Sequence, residues 1–214
     1  PLLVGLVGLA VERFILKPIV GVPIVPIIAT FGLLYIIRNS AGIIFGPAPR
    51  GMPSPIAETF ALMGYGYPFY RVFVAAVSLG ILLGLWVFLH RTKYGLWMRA
   101  SKQDREMALA MGVNVNQVYT VTFGLGAALA ALGGALAAPI VSMAVNMGFD
   151  MLFVAFIVVT VGGLGSLKGT LMASLLIAEF EGLSSVIVSP TEARVLTLVF
   201  MAIVLFARPR LLGR

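Results

Sequence analysis

Long apolar runs, separated by charged residues, prolines and glycines, are the feature that most restricts how this 214-residue sequence can fold. Several of them approach or exceed the roughly 17 to 25 residues that a helix needs to cross about 30 Å of hydrocarbon. Hydrophobic residues make up 60% of the chain and charged residues 11%, which is more apolar surface than a water-soluble globule could bury. Because a helix satisfies its own backbone hydrogen bonds in lipid, we predict an all-α, polytopic membrane protein with about six to seven transmembrane segments.

The apolar runs predict seven crossings, which lie between charges or helix breakers, at residues 1–16, 24–45, 69–89, 118–140, 151–165, 169–188 and 192–207. Residues 46–55 contain four prolines and are predicted to form an external or interfacial loop. Short loops rich in Lys and Arg stay in the cytoplasm, and an external N-terminus puts eleven of these cations inside and three outside. We therefore expect one membrane domain over residues 1–214 with its N-terminus outside.

Composition also limits which ligands and partners we expect for the chain. The formal charge of +7 would raise the question of nucleic acid in a soluble protein, but here the cations follow the membrane topology, so we expect no nucleic-acid partner. Cysteine is absent and His90 is the one histidine, so neither a disulfide framework nor a metal site is predicted. The opening stretch has no signal-peptide pattern, and a start at Pro1 suggests a trimmed or partial chain.

The charged loop over residues 90–117 is predicted to be cytoplasmic and to contain one amphipathic helix from Ser101 to Met111. Ser101 is the expected N-cap, and Gly112 the expected stop, because glycine adopts positive φ without strain. One interpretation is a solvated connector. A second is a docking element, because the apolar stripe of this helix, formed by Met107, Ala108 and Met111, has nothing in its own loop to cover it and a crossing follows almost at once.

Several stretches of the sequence resemble a known family. Residues 106–112, Glu-Met-Ala-Leu-Ala-Met-Gly, resemble the Glu-Ala-Ala, three residues, Gly signature of importer permeases. Similar matches run along most of the chain, at residues 29–33, 45–47, 94–114, 123, 162–169 and 181–185. Together they resemble the LivH-type permeases of branched-chain amino acid ABC importers, although relatives usually have further N-terminal membrane segments and an Ala where this chain has Met107.

The resemblance implies a transport subunit of the bacterial-type inner (plasma) membrane that is not itself an enzyme and needs no cofactor. Its implied partners are the lipid bilayer, cytoplasmic ATPase subunits, a second permease subunit and a periplasmic substrate-binding protein. Its short cytoplasmic helix would fit a groove on the ATPase. The residues expected at that interface are Arg99, Ala100, Asp104, Arg105, Glu106, Met107, Ala108, Met111 and Gly112.

A second group of candidates lies in the last third of the chain. Gly162, Gly163 and Gly165 lack the spacing of a phosphate-binding loop and are expected to break the helix, and breaks of this kind in transporters mark discontinuous segments near a pathway. Glu179 and Glu181 interrupt an apolar run, where an ionised carboxylate is costly unless it is paired, protonated or hydrated. They are candidates for the pathway or for structural carboxyls, but not for a catalytic pair, since they point about 200° apart on a helix.

Two other functions compete with the importer. An ion-gradient-driven secondary transporter or channel for a small solute would use Glu179 or Glu181 to carry protons and would need no ATPase. An intramembrane enzyme is disfavoured, because the spacing brings no nucleophile, base or metal-ligand candidates together.

Overall fold

The structure is a computed structural model of the chain, and it describes residues 1–19, 24–56, 58–62, 65–141, 143–163, 165–189, 192–193 and 195–200. These residues form two compact units, 1–145 and 146–214, and each is described by itself. Nearly all of the regular structure is helical, which confirms the predicted polytopic helical membrane protein.

The first unit contains six α-helices and one short hairpin in its described residues. Helix α1, Leu2–Val11, continues into a π-helical segment, Glu12–Leu16, and a 3₁₀ turn, Lys17–Ile19. The hairpin consists of β1, Thr59–Leu62, and β2, Tyr65–Pro68, which pair antiparallel in the connection that follows the four prolines. In chain order the elements are α1 Leu2–Val11, α2 Ile24–Phe45, β1 Thr59–Leu62, β2 Tyr65–Pro68, α3 Phe69–Arg91, α4 Lys93–Gln103, α5 Arg105–Ala110 and α6 Val115–Ala137.

The second unit contains α7, Met147–Gly162, and α8, Leu167–Ile187. They pack against each other through Ala173 and Ile177 of α8, which are buried with Val158 and Val161 of α7 beside them. Residues 192–193 and 195–200 are also helical, and the other half of the seventh predicted crossing, 192–207, lies outside the described residues.

Four helices in the described part of the chain are long and apolar enough to cross a membrane: α2, α3, α6 and α8. They correspond to the second, third, fourth and sixth predicted crossings. The fifth is the shorter apolar helix α7, and the first is α1 with its π-helical extension. Large apolar side chains on these helices point outward, and Ile43 and Val186, for example, are more than four-fifths exposed. Such surfaces are unfavourable in water and ordinary in lipid, so the chain is a multi-pass membrane protein.

Residues 46–55 form the non-helical connection that their prolines predict. Arg50 holds this connection in place twice. Its backbone pairs with Met143, and its guanidinium donates to the carbonyl oxygen of Phe45 at 2.8 Å, at the carboxyl end of α2. A cation bonded to the last carbonyls of a helix is favoured by the helix dipole.

Helices α1 and α6 pack antiparallel, with small residues at their closest approach. A Cβ built on Gly8 would lie 2.6 Å from Cβ of Ala127, and one on Gly5 would lie 3.0 Å from Cβ of Ala128. These atoms are fixed to the backbone and cannot rotate away, so Gly8 needs to be glycine for the helices to approach this closely, and a Cβ at Gly5 would be a tight contact. Helix α3 joins the other end of α6, where the Tyr70 hydroxyl donates to the carbonyl oxygen of Leu136.

The first unit therefore has two ends. Residues 46–55 and the start of α3 lie at one, and α4, α5 and the start of α6 lie at the other, separated by the 23 residues of α3, about 34 Å at 1.5 Å per residue. The cation count predicts that the second end faces the cytoplasm.

Single cysteines test this sidedness cleanly, because the chain has none of its own. We expect a membrane-impermeant maleimide to label Ser54→Cys in intact cells and Met111→Cys only after the inner membrane is permeabilised, since both side chains are exposed but lie at opposite ends. Ser101 is unsuitable, because it is only 3% exposed. Labelling of both cysteines from the same side would contradict the predicted topology.

Candidate coupling site

The segment predicted to be cytoplasmic contains two helices, α4 and α5, where the sequence predicts one. Helix α4 begins directly after α3. Thr92 separates the two helices, its backbone is extended, and its side chain bonds to both of them. Its hydroxyl donates to the carbonyl oxygen of Phe88 at 2.7 Å and accepts from the backbone N–H of Gly95 at 3.1 Å. The same side chain therefore closes α3 and caps α4.

The prediction that a helix begins at Ser101 is wrong. Ser101 lies inside α4 and is buried, and its hydroxyl has no hydrogen-bond partner among the described residues. The cap is Asp104, whose backbone is extended at φ −151°, ψ 111° and whose carboxylate accepts from the backbone N–H of Met107 at 3.0 Å. Asp104 breaks the segment because its short carboxylate competes with the helical backbone for that N–H.

Helix α5 ends at Ala110, and Gly112 forms the turn that stops it, as the sequence predicts. Gly112 has φ 81°, its N–H donates to the carbonyl oxygen of Leu109, and the N–H of Val113 donates to that of Ala108, each at 3.0 Å. This pair of bonds is the Schellman motif, which needs a residue at positive φ. Glycine at 112 therefore satisfies the last carbonyls of α5 and turns the chain toward α6.

Only four residues separate α5 from α6. Asn114 caps α6 by accepting from the backbone N–H of Gln117 at 3.2 Å, and the first turns of α6 are anchored by Val115 and Val118, both buried. The guanidinium of Arg105 also lies 6.0 Å from the ring centroid of Tyr119, within the range of a cation–π contact. The Asp104 cap, the turn at Gly112 and the Asn114 cap thus leave a short connection with a defined backbone between α5 and α6.

The short helix α5 presents an apolar surface outward. Met107 is 61% exposed and Met111 78%, with Leu109 about half exposed, whereas Ala108 is 4% exposed and faces inward. The structure thus separates Ala108 from the two methionines that the sequence grouped with it in one stripe. Of the other candidates, Ala100 is half-buried, and the exposed ones are Arg99, Asp104, Arg105, Glu106 and Gly112.

The second group of candidates lies in the second unit. Helix α7 ends at Gly162, and Gly163 and Gly165 adopt φ of 89° and 85°. Ser166 then caps α8 by accepting from the backbone N–H of Gly169 at 3.1 Å. Gly162 and Gly169 approach so closely that a Cβ on either would overlap backbone atoms of the facing segment. The turn is a tight helix break, and its place beside a pathway stays a prediction.

Glu179 and Glu181 both lie on α8. Glu179 is exposed and Glu181 is half-buried. Two positions apart on one helix, they point to different sides, so they do not form a pair of carboxylates around one proton. Their contact with substrate or protons stays a prediction.

The sequence reasoning passed over one buried carboxylate, Glu12. It lies in the π-helical segment after α1, is 8% exposed, and accepts a hydrogen bond from the hydroxyl of Thr120 on α6. The rule that singled out Glu179 and Glu181, an acidic residue interrupting an apolar run, also applies to Glu12 and could have found it.

Removing the cap of α5 should loosen that helix without disturbing its neighbours. We expect Asp104→Ala to cost about 1 kcal/mol of local helix stability and to speed amide exchange over residues 105–110 roughly fivefold. Asp104→Asn keeps an acceptor oxygen and should exchange at close to the wild-type rate. Hydrogen–deuterium exchange of the purified protein measures both, and equal protection in the alanine variant and the wild type would show that Asp104 is not the cap.

Comparison with known proteins places this arrangement in a family. The profile described as "Branched-chain amino acid transport system / permease component" matches residues 2–207. The permease protein BraD of the high-affinity branched-chain amino acid transport system of Pseudomonas aeruginosa is 26% identical over 216 residues, which cover 97% of this chain and 70% of BraD. LivH of Escherichia coli K12, which has the same description, is 26% identical over 217 residues, with coverages of 97% and 70%.

A third relative is the probable branched-chain amino acid transport permease LivH of Methanocaldococcus jannaschii, which is 32% identical over 126 residues, 58% of this chain and 39% of that protein. No solved structure matches the chain. The resemblance to LivH-type permeases is confirmed by the match over residues 2–207, and the chain belongs to the family of permease components of branched-chain amino acid transport systems.

Proposed function

We propose that this chain is the permease subunit of an ATP-driven importer for branched-chain amino acids in the inner membrane. The observation that carries the proposal is helix α5, which is capped by Asp104, stopped at Gly112 and exposed through Met107 and Met111 directly before a membrane-crossing helix. In this proposal α5 is the helix that fits a groove on a cytoplasmic ATPase subunit.

Three features of α5 support docking of a partner protein. Its outward side chains are apolar, although the segment lies outside the predicted crossings. Methionine side chains are flexible and polarizable, and they suit an adaptable contact. Arg105 and Glu106 border the methionines, so the apolar contact has a charged rim, as protein interfaces commonly do.

Movement of α5 would be transmitted to two membrane-crossing helices, α3 and α6. The Thr92 side chain joins α4 to the end of α3, and the turn at Gly112 with the cap at Asn114 joins α5 to the start of α6. A displacement of α5 by nucleotide binding or hydrolysis on the ATPase would therefore pull α3 and α6 together. This is the mechanism by which a chain without its own nucleotide motif would be driven by ATP.

The remaining partners follow from the same proposal. A substrate-binding protein would deliver the amino acid at the opposite end of the unit, near residues 46–55. A second permease subunit would complete the pathway. Gly126 and Gly133 of α6 support such a partner, because they share one helix face, two turns apart, and a Cβ on either would meet no atom within 4 Å.

A charge on the exposed face of α5 tests the docking role. We expect Met111→Glu to reduce co-purification with the ATPase subunits about tenfold or more, because burial in an apolar groove would then desolvate a carboxylate. Met52→Glu is the matched control, since Met52 is also an exposed methionine but lies in the connection at the other end. Undiminished co-purification and ATP-driven uptake in Met111→Glu would contradict the docking role of α5.

Reconstitution of the complete complex in liposomes tests the substrate. We expect ATP-dependent uptake of leucine, isoleucine or valine in preference to urea and acetamide. Uptake of the polar solutes alone would contradict the substrate class but leave the importer intact. Uptake driven by an ion gradient in the absence of ATP would instead support the secondary-transporter alternative with Glu179 or Glu181.

A further inference from the structure

Glu12, in the π-helical extension of α1, and Thr120 of α6 form a polar contact that has no part in the proposed docking role of α5. The Thr120 hydroxyl donates to Oε2 of Glu12, and Thr120 also contacts the carbonyl oxygen of Asn116 within its own helix. In the described part of the chain, Thr120 is the one side chain that hydrogen-bonds to Glu12. A buried carboxylate with a single neutral partner is costly beside apolar helices, and two aliphatic residues could pack there without that cost.

The position of this contact links it to α5. Thr120 is eight residues beyond Gly112 and five beyond Val115, the first residue of α6. At 1.5 Å per residue it lies roughly 8 Å along α6 from the end that α5 would move. On the other helix, Glu12 is the first residue of the π-helical segment. Such segments change the register of side chains along a helix and are frequent at functional sites.

Close packing beyond this contact holds α1 against α6. Gly5 and Gly8 face Gly124, Ala127 and Ala128 so closely that no side-chain atom could be added at Gly8 without a shift of the backbone. Interlocked backbones resist rotation and sliding but do not by themselves set the angle at the end near α5. The Glu12 to Thr120 hydrogen bond is directional, so it defines the rotation of α6 relative to α1 at that end.

We propose that Glu12 is a positioning residue, which through Thr120 makes α1 turn with α6 when α5 is displaced. The inference rests on the proposed function and deepens it by adding α1 to the crossings that ATP would move. It assigns to Glu12 no contact with substrate and no role in proton transfer.

The experiment compares variants in the complete reconstituted complex, and it measures substrate molecules taken up per ATP hydrolysed. We expect Glu12→Leu and Thr120→Val to co-purify with the ATPase but to lower this ratio at least fivefold, because α6 would move without α1. The double variant should be no worse than either single variant, since both remove the same interaction. Glu12→Gln and Thr120→Ser keep an acceptor or a hydroxyl and should stay within twofold of the wild type.

Thr122→Val is the matched control, because the Thr122 hydroxyl donates only to the carbonyl oxygen of Val118 in its own helix. An unchanged ratio in Thr120→Val, an equal loss in Thr122→Val, or additive losses in the double variant would each overturn the inference. If Glu12→Leu fails to fold, Thr120→Val, which is nearly the same size and shape as the native residue, decides the outcome. A wild-type complex without ATP-driven uptake would contradict the proposed function itself, whereas a coupled wild type with unaffected variants would contradict only the role of Glu12.

Discussion

The requirement that every helix end satisfy its backbone groups governs the described structure. A helix leaves four N–H groups and four carbonyls without a partner in the helix at its ends, and a side chain that bonds to them fixes where the helix begins or stops. This chain meets the requirement with short polar side chains at the N-termini of four helices: Thr92 for α4, Asp104 for α5, Asn114 for α6 and Ser166 for α8. At the carboxyl ends it uses the Gly112 turn for α5 and the Arg50 guanidinium for α2. These helices therefore begin and end at defined residues, and the connections from α3 to α4, from α4 to α5 and from α5 to α6 are short.

Short, capped connections also bear on the proposal that α5 acts on the membrane-crossing helices. The α4 to α5 segment joins α3 and α6, and neither junction contains a long flexible loop. The apolar surface of α5 faces outward, while Ala108 faces inward, so the segment both offers a contact and is anchored to its own unit. Helix α6 then lies between the segment and α1, against which it packs through glycine and alanine. Local capping and close backbone packing together create a continuous path of rigid elements from α5 to α1.

Several features could be predicted because they depend on local composition. The crossings at α2, α3, α6 and α8, the proline-rich connection and the stop at Gly112 follow from apolar length, missing backbone donors and glycine at positive φ. The start of the coupling helix could not be predicted correctly, because Ser101 and Asp104 are both acceptable caps by residue type. The choice depended on burial, since Ser101 packs inside the unit while Asp104 stays exposed to solvent with an extended backbone. The local rule for acidic residues in apolar runs applies to Glu12, but its contact could not be predicted, because its partner Thr120 is 108 residues away in the chain.

By itself, the sequence determined that this is a helical membrane protein of the branched-chain amino acid permease family, with a basic connection between two crossings and a glycine break near residue 163. These properties follow from runs of side chains and from single residues with restricted or unusual backbone freedom. Only the tertiary structure decided that residues 93–110 form two helices, that Met107 and Met111 face outward while Ala108 does not, and that Glu12 meets Thr120. Those outcomes depend on which surfaces are covered by residues distant in the chain, and a local pattern carries no information about that covering.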